Sequence, residues 1–282
     1  MAPFGGNNLR ILIRTSRWAI WARRLGNLAI PMVVLPVALL WMRLISGNVF
    51  LVAEIAAAAV AAMAVLFALI ALVHLWQTGD VGWDRALLGL LLGVVALLPF
   101  GWYLNLALRY PQVTDIATAE RGQLPLVFDP VSRNMPEPRV LPAAEAAAVF
   151  PNVHTRTYPL GQVPAFSLVR QMVMANGWEI IEEREPGPDF SPGRINARVT
   201  EIPGWREEVV IRVTGSMDDS AVDMRSASLD LAHDFGSNGR RIEGFLVALD
   251  DAVTTLLRDN PNANQPLESD LDEDLPEEPA AQ

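Results

Sequence analysis

Phe50–Val73 reads FLVAEIAAAAVAAMAVLFALIALV, a run in which Glu54 is the one charge. A bilayer core takes about 20 apolar residues of helix, so this stretch predicts a membrane span. Two further runs flank it. The first covers Leu25 to Trp41, with Pro31 and Pro36 inside it and Arg43 just past its end. Membrane helices tolerate proline when neighbours satisfy the freed carbonyls, so a kink is expected there. The last covers Ala86 to Leu108, contains Pro99, and ends near Trp102 and Tyr103, an aromatic pair suited to the membrane interface. Three such runs within residues 25–108 are too apolar for a buried helical hairpin of a soluble protein. The first starts late and no small-x-small site follows it, so it does not read as a cleavable signal. Ala56–Ala62 offers a small face for close helix packing.

Arginines set the expected orientation. Arg10, Arg14, Arg17, Arg23 and Arg24 precede the first run. The next loop holds Arg43, and the one after it holds Asp80, Asp84 and Arg85. The positive-inside rule then puts the amino terminus in the cytoplasm, and three crossings put everything after Leu108 outside it. If the proline-containing run did not span, the domain would be cytoplasmic. Leu9–Leu25 mixes Leu9, Leu12, Ile13, Trp18, Ile20 and Trp21 with its arginines. It reads either as a helix lying on an anionic leaflet or as a plain topology signal. Glu54 marks either a functional site inside the membrane or an acid near a helix start that snorkels to the interface.

Charge divides the chain. Residues 1–108 carry seven arginines against three acids, net +4; the remainder carries fifteen against 29, net −14, giving −10 in all. There is no lysine. An acidic soluble part repels phosphate backbones, which argues against nucleic-acid binding. Cysteine is absent, which excludes disulfides, a thiol nucleophile and thiolate metal sites. His74, His154 and His233 are far apart and show no zinc-binding spacing. Glu268–Asp274 lacks the glycine and terminal glutamate of a calcium loop.

Arg109–Asp259 is long enough to bury one core. Pro111–Pro142 reads as extended chain, a linker or a wrapping arm. A helix is expected from Val163, with Pro164 in its first turn, Phe166, Val169 and Val173 inward, and Gly177 as its stop. Trp178–Glu183, Arg194–Thr200, Val209–Thr214 and Val222–Ser228 read as strands at short spacing, an antiparallel meander. Ile242, Phe245, Leu246, Leu249, Val253, Leu256 and Leu257 repeat at helical spacing. The expected soluble fold is therefore α+β: about four antiparallel strands with two packed helices, preceded by three transmembrane helices.

The most distinctive residues are Asp223-Met-Arg-Ser-Ala-Ser228, Asp234-Phe-Gly-Ser-Asn238 and Arg241-Ile-Glu-Gly-Phe-Leu246. With Val113-Thr-Asp-Ile-Ala-Thr118 and Phe150-Pro-Asn-Val153, they resemble the signature of the bacterial family called domain of unknown function 1499. The resemblance covers about residues 110–258. It departs at Ala119, where aspartate is usual, at Leu124-Pro125, where Pro-Pro is usual, and at Leu229, where arginine is usual. It implies domain boundaries and envelope association, and no chemistry.

Three readings of this signature are open. As architecture, Gly236 permits a tight turn, Asp234, Ser237 or Asn238 caps the last helix, and Arg241 pairs with Asp234 or the upstream strand. As a binding site, Arg225, Ser226, Ser228, Asp234, Asn238 and Arg241 hold an anion at a helix start, with Arg240 beside them. Arg194, Arg198, Arg212 and Arg225 share one sheet face and need either Glu179, Glu183 and Asp223 as partners or a bound anion. As a hydrolase, Ser226 or Ser228 acts with His233 and Asp234, although no nucleophile elbow surrounds either serine.

The expectation is a multi-pass protein of the bacterial inner membrane. Residues 1–24 form a basic amphipathic cytoplasmic segment, 25–108 the three-helix membrane region, 109–259 a periplasmic domain and 260–282 a disordered acidic tail. The expected role is non-enzymatic: the domain binds an envelope protein or an anionic small ligand, with the hydrolase as alternative. The bilayer is an expected partner; no metal, cofactor or nucleic acid is.

Overall fold

The structure, a computed structural model, describes residues 14–127 and 137–264. Its first half is an up-down-up bundle of α1 (Arg17–Trp41), α2 (Gly47–Thr78) and α3 (Trp83–Arg109). All three are long and apolar enough to cross a membrane. At 1.5 Å per residue, α2 is about 48 Å long, more than a bilayer core requires. Proline is accommodated inside α1 at positions 31 and 36 and inside α3 at position 99.

Small residues bring the helices together. Along α2 the buried positions are Phe50, Glu54, Ala57, Ala61, Ala64, Ala68, Ala71 and Leu75, spaced alternately by four and three. Ala19, Ala22, Gly26 and Ala29 of α1 and Ala86, Gly89, Gly93 and Ala96 of α3 repeat the pattern. Such three-four spacing is that of a coiled-coil seam, with side chains small enough for backbones to touch. The closest approach is at Gly89, where an added Cβ would lie 2.5 Å from the carbonyl carbon of Ala22. Only Ala57 and Ala61 of the Ala56–Ala62 stretch are buried in that seam; the stripe runs on beyond it. Large apolar residues such as Val52, Leu98 and Leu108 point outward instead, where lipid would cover them.

Helix α1 begins at Arg17, so residues 17–24 of the basic segment run on into the first apolar helix. Leu9, Leu12 and Ile13 lie outside the described residues. Ser16 N donates to Val81 O and Val81 N to Arg14 O, which ties the α1 start to the α2–α3 turn.

The soluble domain is one antiparallel sheet with helices on one face. Its strands are β1 (Asp115–Ala117), β2 (Arg156–Tyr158), β3 (Glu179–Arg184), β4 (Gly193–Glu201), β5 (Trp205–Gly215) and β6 (Ser220–Ser228). The order is β1-β6-β5-β4-β3, and β2 also pairs with β6. The four expected strands are thus the meander β3 to β6. Two three-residue strands join them, β1 pairing with Arg225–Ala227 and β2 with Ser220–Val222 on the outer edge of β6. Residues Ile195, Ala197, Val209, Ile211, Val213, Val222 and Met224 face α5 (Gln162–Ala175) and α6 (Ser237–Asp259), where the core lies. A short α4 (Ala143–Val149) precedes them. The arm after α3 wraps the other sheet face, burying Leu124. The residues at 260–264 also pack on the domain: Asn264 Oδ1 accepts from Gly161 N. The rest of the expected tail lies outside the described residues.

The domain sits on the end of the bundle from which α3 emerges. Trp205 is the joint. It stacks on Phe235 at 5.8 Å and meets Phe50 and Tyr103 edge-on at 6.1 and 5.3 Å. Leu40 and Leu231 close the cluster. Tyr103 Oη donates to Ile202 O at 3.0 Å, and Arg43 Nη1 to Gly204 O at 2.8 Å. Arg14, Arg17, Arg23, Arg24 and Arg85 gather toward the opposite end.

Candidate functional site

Strand β6 carries a polar cluster on each face. On the helix side, Ser226 Oγ donates to Asn238 Oδ1 at 2.6 Å. Asn238 Nδ2 donates to Ser228 Oγ at 3.0 Å and Thr114 O at 3.2 Å. Ser228 Oγ and Ser237 Oγ donate to Glu207 Oε1. Arg241 Nη1 donates to Ser226 Oγ at 2.9 Å, while its Nη2 is ion-paired with both Glu207 and Glu201. Ser226 and Asn238 are fully buried.

Asp234 locks the start of α6. Its Oδ1 accepts from Gly236 N at 2.9 Å and its Oδ2 from Asn238 N at 3.3 Å. Gly236 has φ +77°, and an added Cβ would meet the Tyr110 ring at 2.5 Å. That ring stacks on Phe150, which in turn lies against Gly239. The capping role falls to Asp234, and Arg241 pairs with strand residues rather than with Asp234.

Side chains alternate along a strand, so Arg225 points away from Ser226. It grips Asp115 with Nε at 3.1 Å and Nη2 at 2.8 Å, and its Nη1 donates to Leu124 O at 2.7 Å. Arg121 closes over the same aspartate. Farther across this face, Glu208 Oε1 accepts from Asn196 Nδ2 at 2.8 Å and Val127 N at 2.7 Å. The other face arginines are matched too: Arg212 with Asp223, Arg198 with Glu179, and Arg194 with Glu182. Glu183 instead pairs with Arg170, because a bulge between Ile180 and Glu182 shifts the register.

The structure therefore brings Ser226, Ser228, Asn238 and Arg241 into one cluster with Asp234 at its edge, and separates Arg225 from them. His233 does not join either serine. Its Nδ1 accepts from Phe235 N and its ring stacks on Phe235. Among the described residues, no group of three or more His, Asp or Glu could hold a metal ion. Sequence reasoning missed Asp115, Glu207, Glu208, Asn196 and Thr114. The visible signal was Glu207-Glu208 itself: two acids in succession at a strand entrance place one carboxylate on each face.

The pieces of the sequence signature thus meet in space: Asp115 holds Arg225, Phe150 lies on Gly239, and Asn238 bridges both serines. Residues 131–249 match the family model for Protein of unknown function (DUF1499). Comparison with curated proteins finds no match. Asp115 precedes the span matched to DUF1499, yet it is the partner of that region's Arg225.

Burial raises the Glu207 carboxyl above its ordinary range, and Arg241 opposes this. Burial raises Asp234 as well, against the pull of its helix-start N–H donors. Burial lowers His233, helped by Arg139. A carboxyl raised on folding binds its proton more readily in the folded state. Its contribution to stability is present at low pH and lost as pH rises through the folded value. Glu207→Gln removes that titration. The wild type should therefore gain stability relative to the Gln variant as pH falls through the raised Glu207 value toward the ordinary carboxylate range. Paired melting curves of the full chain in detergent check this; a difference independent of pH contradicts it.

Proposed function

We propose that this protein is a non-enzymatic envelope module of the bacterial inner membrane. Its amino terminus is cytoplasmic, and its DUF1499 region stands at the periplasmic surface, where it binds a protein partner. The placement of the basic residues supports the orientation: Arg14, Arg17, Arg23, Arg24 and Arg85 gather toward the bundle end remote from the domain, against Arg43 and Arg109 near it. The Trp205 joint supports action at the membrane surface, because it docks the domain on the bundle.

An anionic small ligand is the other reading of the same residues. The observation that favours a protein partner is internal neutralisation. Arg194, Arg198, Arg212, Arg225 and Arg241 each hold a carboxylate of the domain itself. An anion would have to displace those partners and open a cluster in which Ser226 and Asn238 have no exposed surface. Titrating the purified full chain with inorganic phosphate while following its melting temperature separates the two. The proposal expects no saturable rise. A saturable rise that Arg241→Ala abolishes would establish the anion site instead.

A further inference from the structure

Below the joint, the domain-facing ends of the three helices and the Ile202–Trp205 turn enclose a pocket of roughly 390 Å³. That is within the size of pockets that take small ligands, about 300–1,000 Å³. Phe50, Phe100, Tyr103 and Trp205 are among its walls, and almost all of its lining is apolar. Glu54 is the exception, the one acidic side chain in the wall. It does not snorkel outward: its residue is 9% exposed, and its Oε1 is buried with no hydrogen-bond partner. It stands seven residues into α2, about 10 Å from the domain-facing end and far from the helix midpoint.

A buried carboxyl oxygen with no hydrogen-bond donor in apolar surroundings is unfavourable, so a donor beside Glu54 is favoured. A molecule suited to this pocket is apolar along most of its length and carries a donor, preferably cationic, at Glu54. An ammonium supplies three donors and the opposite charge. The bilayer around the bundle supplies molecules of that form.

We propose that this pocket binds an aminolipid, with its primary ammonium on the Glu54 carboxylate and an alkyl chain running from there against Ile55, Ala58 and Phe100 toward the bilayer interior. The head group would lie below the joint, between the membrane helices and the domain. This inference rests on membrane insertion, not on which side the domain occupies.

Photoactivatable lipids with the same diazirine-bearing chain, one with an ethanolamine and one with a glycerol head group, test it. Each is added in trace amounts to vesicles carrying the full chain, and labelled residues are mapped by mass spectrometry. The ethanolamine lipid is expected to label Phe50–Ile55 and Phe100–Tyr103 several-fold more than the glycerol lipid. Glu54→Gln should erase that preference. Ala58→Phe, which fills the pocket, should suppress labelling there while leaving Leu66 and Leu69 on the outer bundle surface unchanged. Equal labelling by the two lipids in the wild type overturns the proposal, and this comparison requires no variant to fold. Pocket labelling that Ala58→Phe does not change overturns it as well.

Discussion

Arg225→Ala is expected to destabilise the soluble domain by about 3–5 kcal/mol, the usual cost of leaving one charge of a buried pair without its partner. Asp115 is the charge left behind. Its side chain is 1% exposed, and Arg225 supplies two of its hydrogen bonds. Arg121 still reaches Asp115, which reduces the loss, but its own side chain is 37% exposed and so more weakly coupled than Arg225. The Leu124 carbonyl also loses its donor, which loosens the arm over the second sheet face. Replacing both members, as Asp115→Leu with Arg225→Met, should recover much of the loss, because no charge is then stranded. Chemical unfolding of the full chain in detergent, followed by near-ultraviolet circular dichroism, reads both effects. An Arg225→Ala variant as stable as the wild type would remove the architectural reading and return Arg225 to the candidate ligand-binding residues.

Gly89→Leu is expected to break the helix bundle. Even the first added carbon would fall 2.5 Å from a backbone atom of Ala22, and no side-chain rotation relieves a backbone clash. Helices α1 and α3 must separate, at a cost of about 3 kcal/mol or more in packing. Gly101→Leu provides the control, since a Cβ there has nothing within 4 Å. Unfolding in mixed detergent micelles should show a large loss for the first variant and little for the second. Equal behaviour would contradict the packing described for the seam.

The elements readable from sequence are those whose signal is long and periodic. The membrane runs, the β3–β6 meander and the amphipathic face of α6 belong to this class. Strands β1 and β2 span three residues each, too short for any alternation to register. Helix α4 is mostly alanine, so it has no polar face to set against an apolar one. The start of β5 was hidden for a different reason. Glu207 and Glu208 break the alternation that begins at Val209, and only their partners, Arg241 and Ser237 on one face and Asn196 on the other, make both acids tolerable inside. The pairing of Asp115 with Arg225 joins positions 110 apart, which no local pattern encodes. The arginine-rich face was legible as an alternation, and Asp223 as a partner for Arg212. The bulge that gives Arg194 to Glu182 and frees Glu183 for Arg170 was not.

The side of the membrane on which the domain lies governs what it can bind, and the absence of cysteine gives direct access to it. A single cysteine placed at Ser269 can be probed with a membrane-impermeant thiol reagent in cells whose inner membrane is intact. The account predicts labelling in intact cells. Labelling that appears only after lysis would place the domain in the cytoplasm and contradict it.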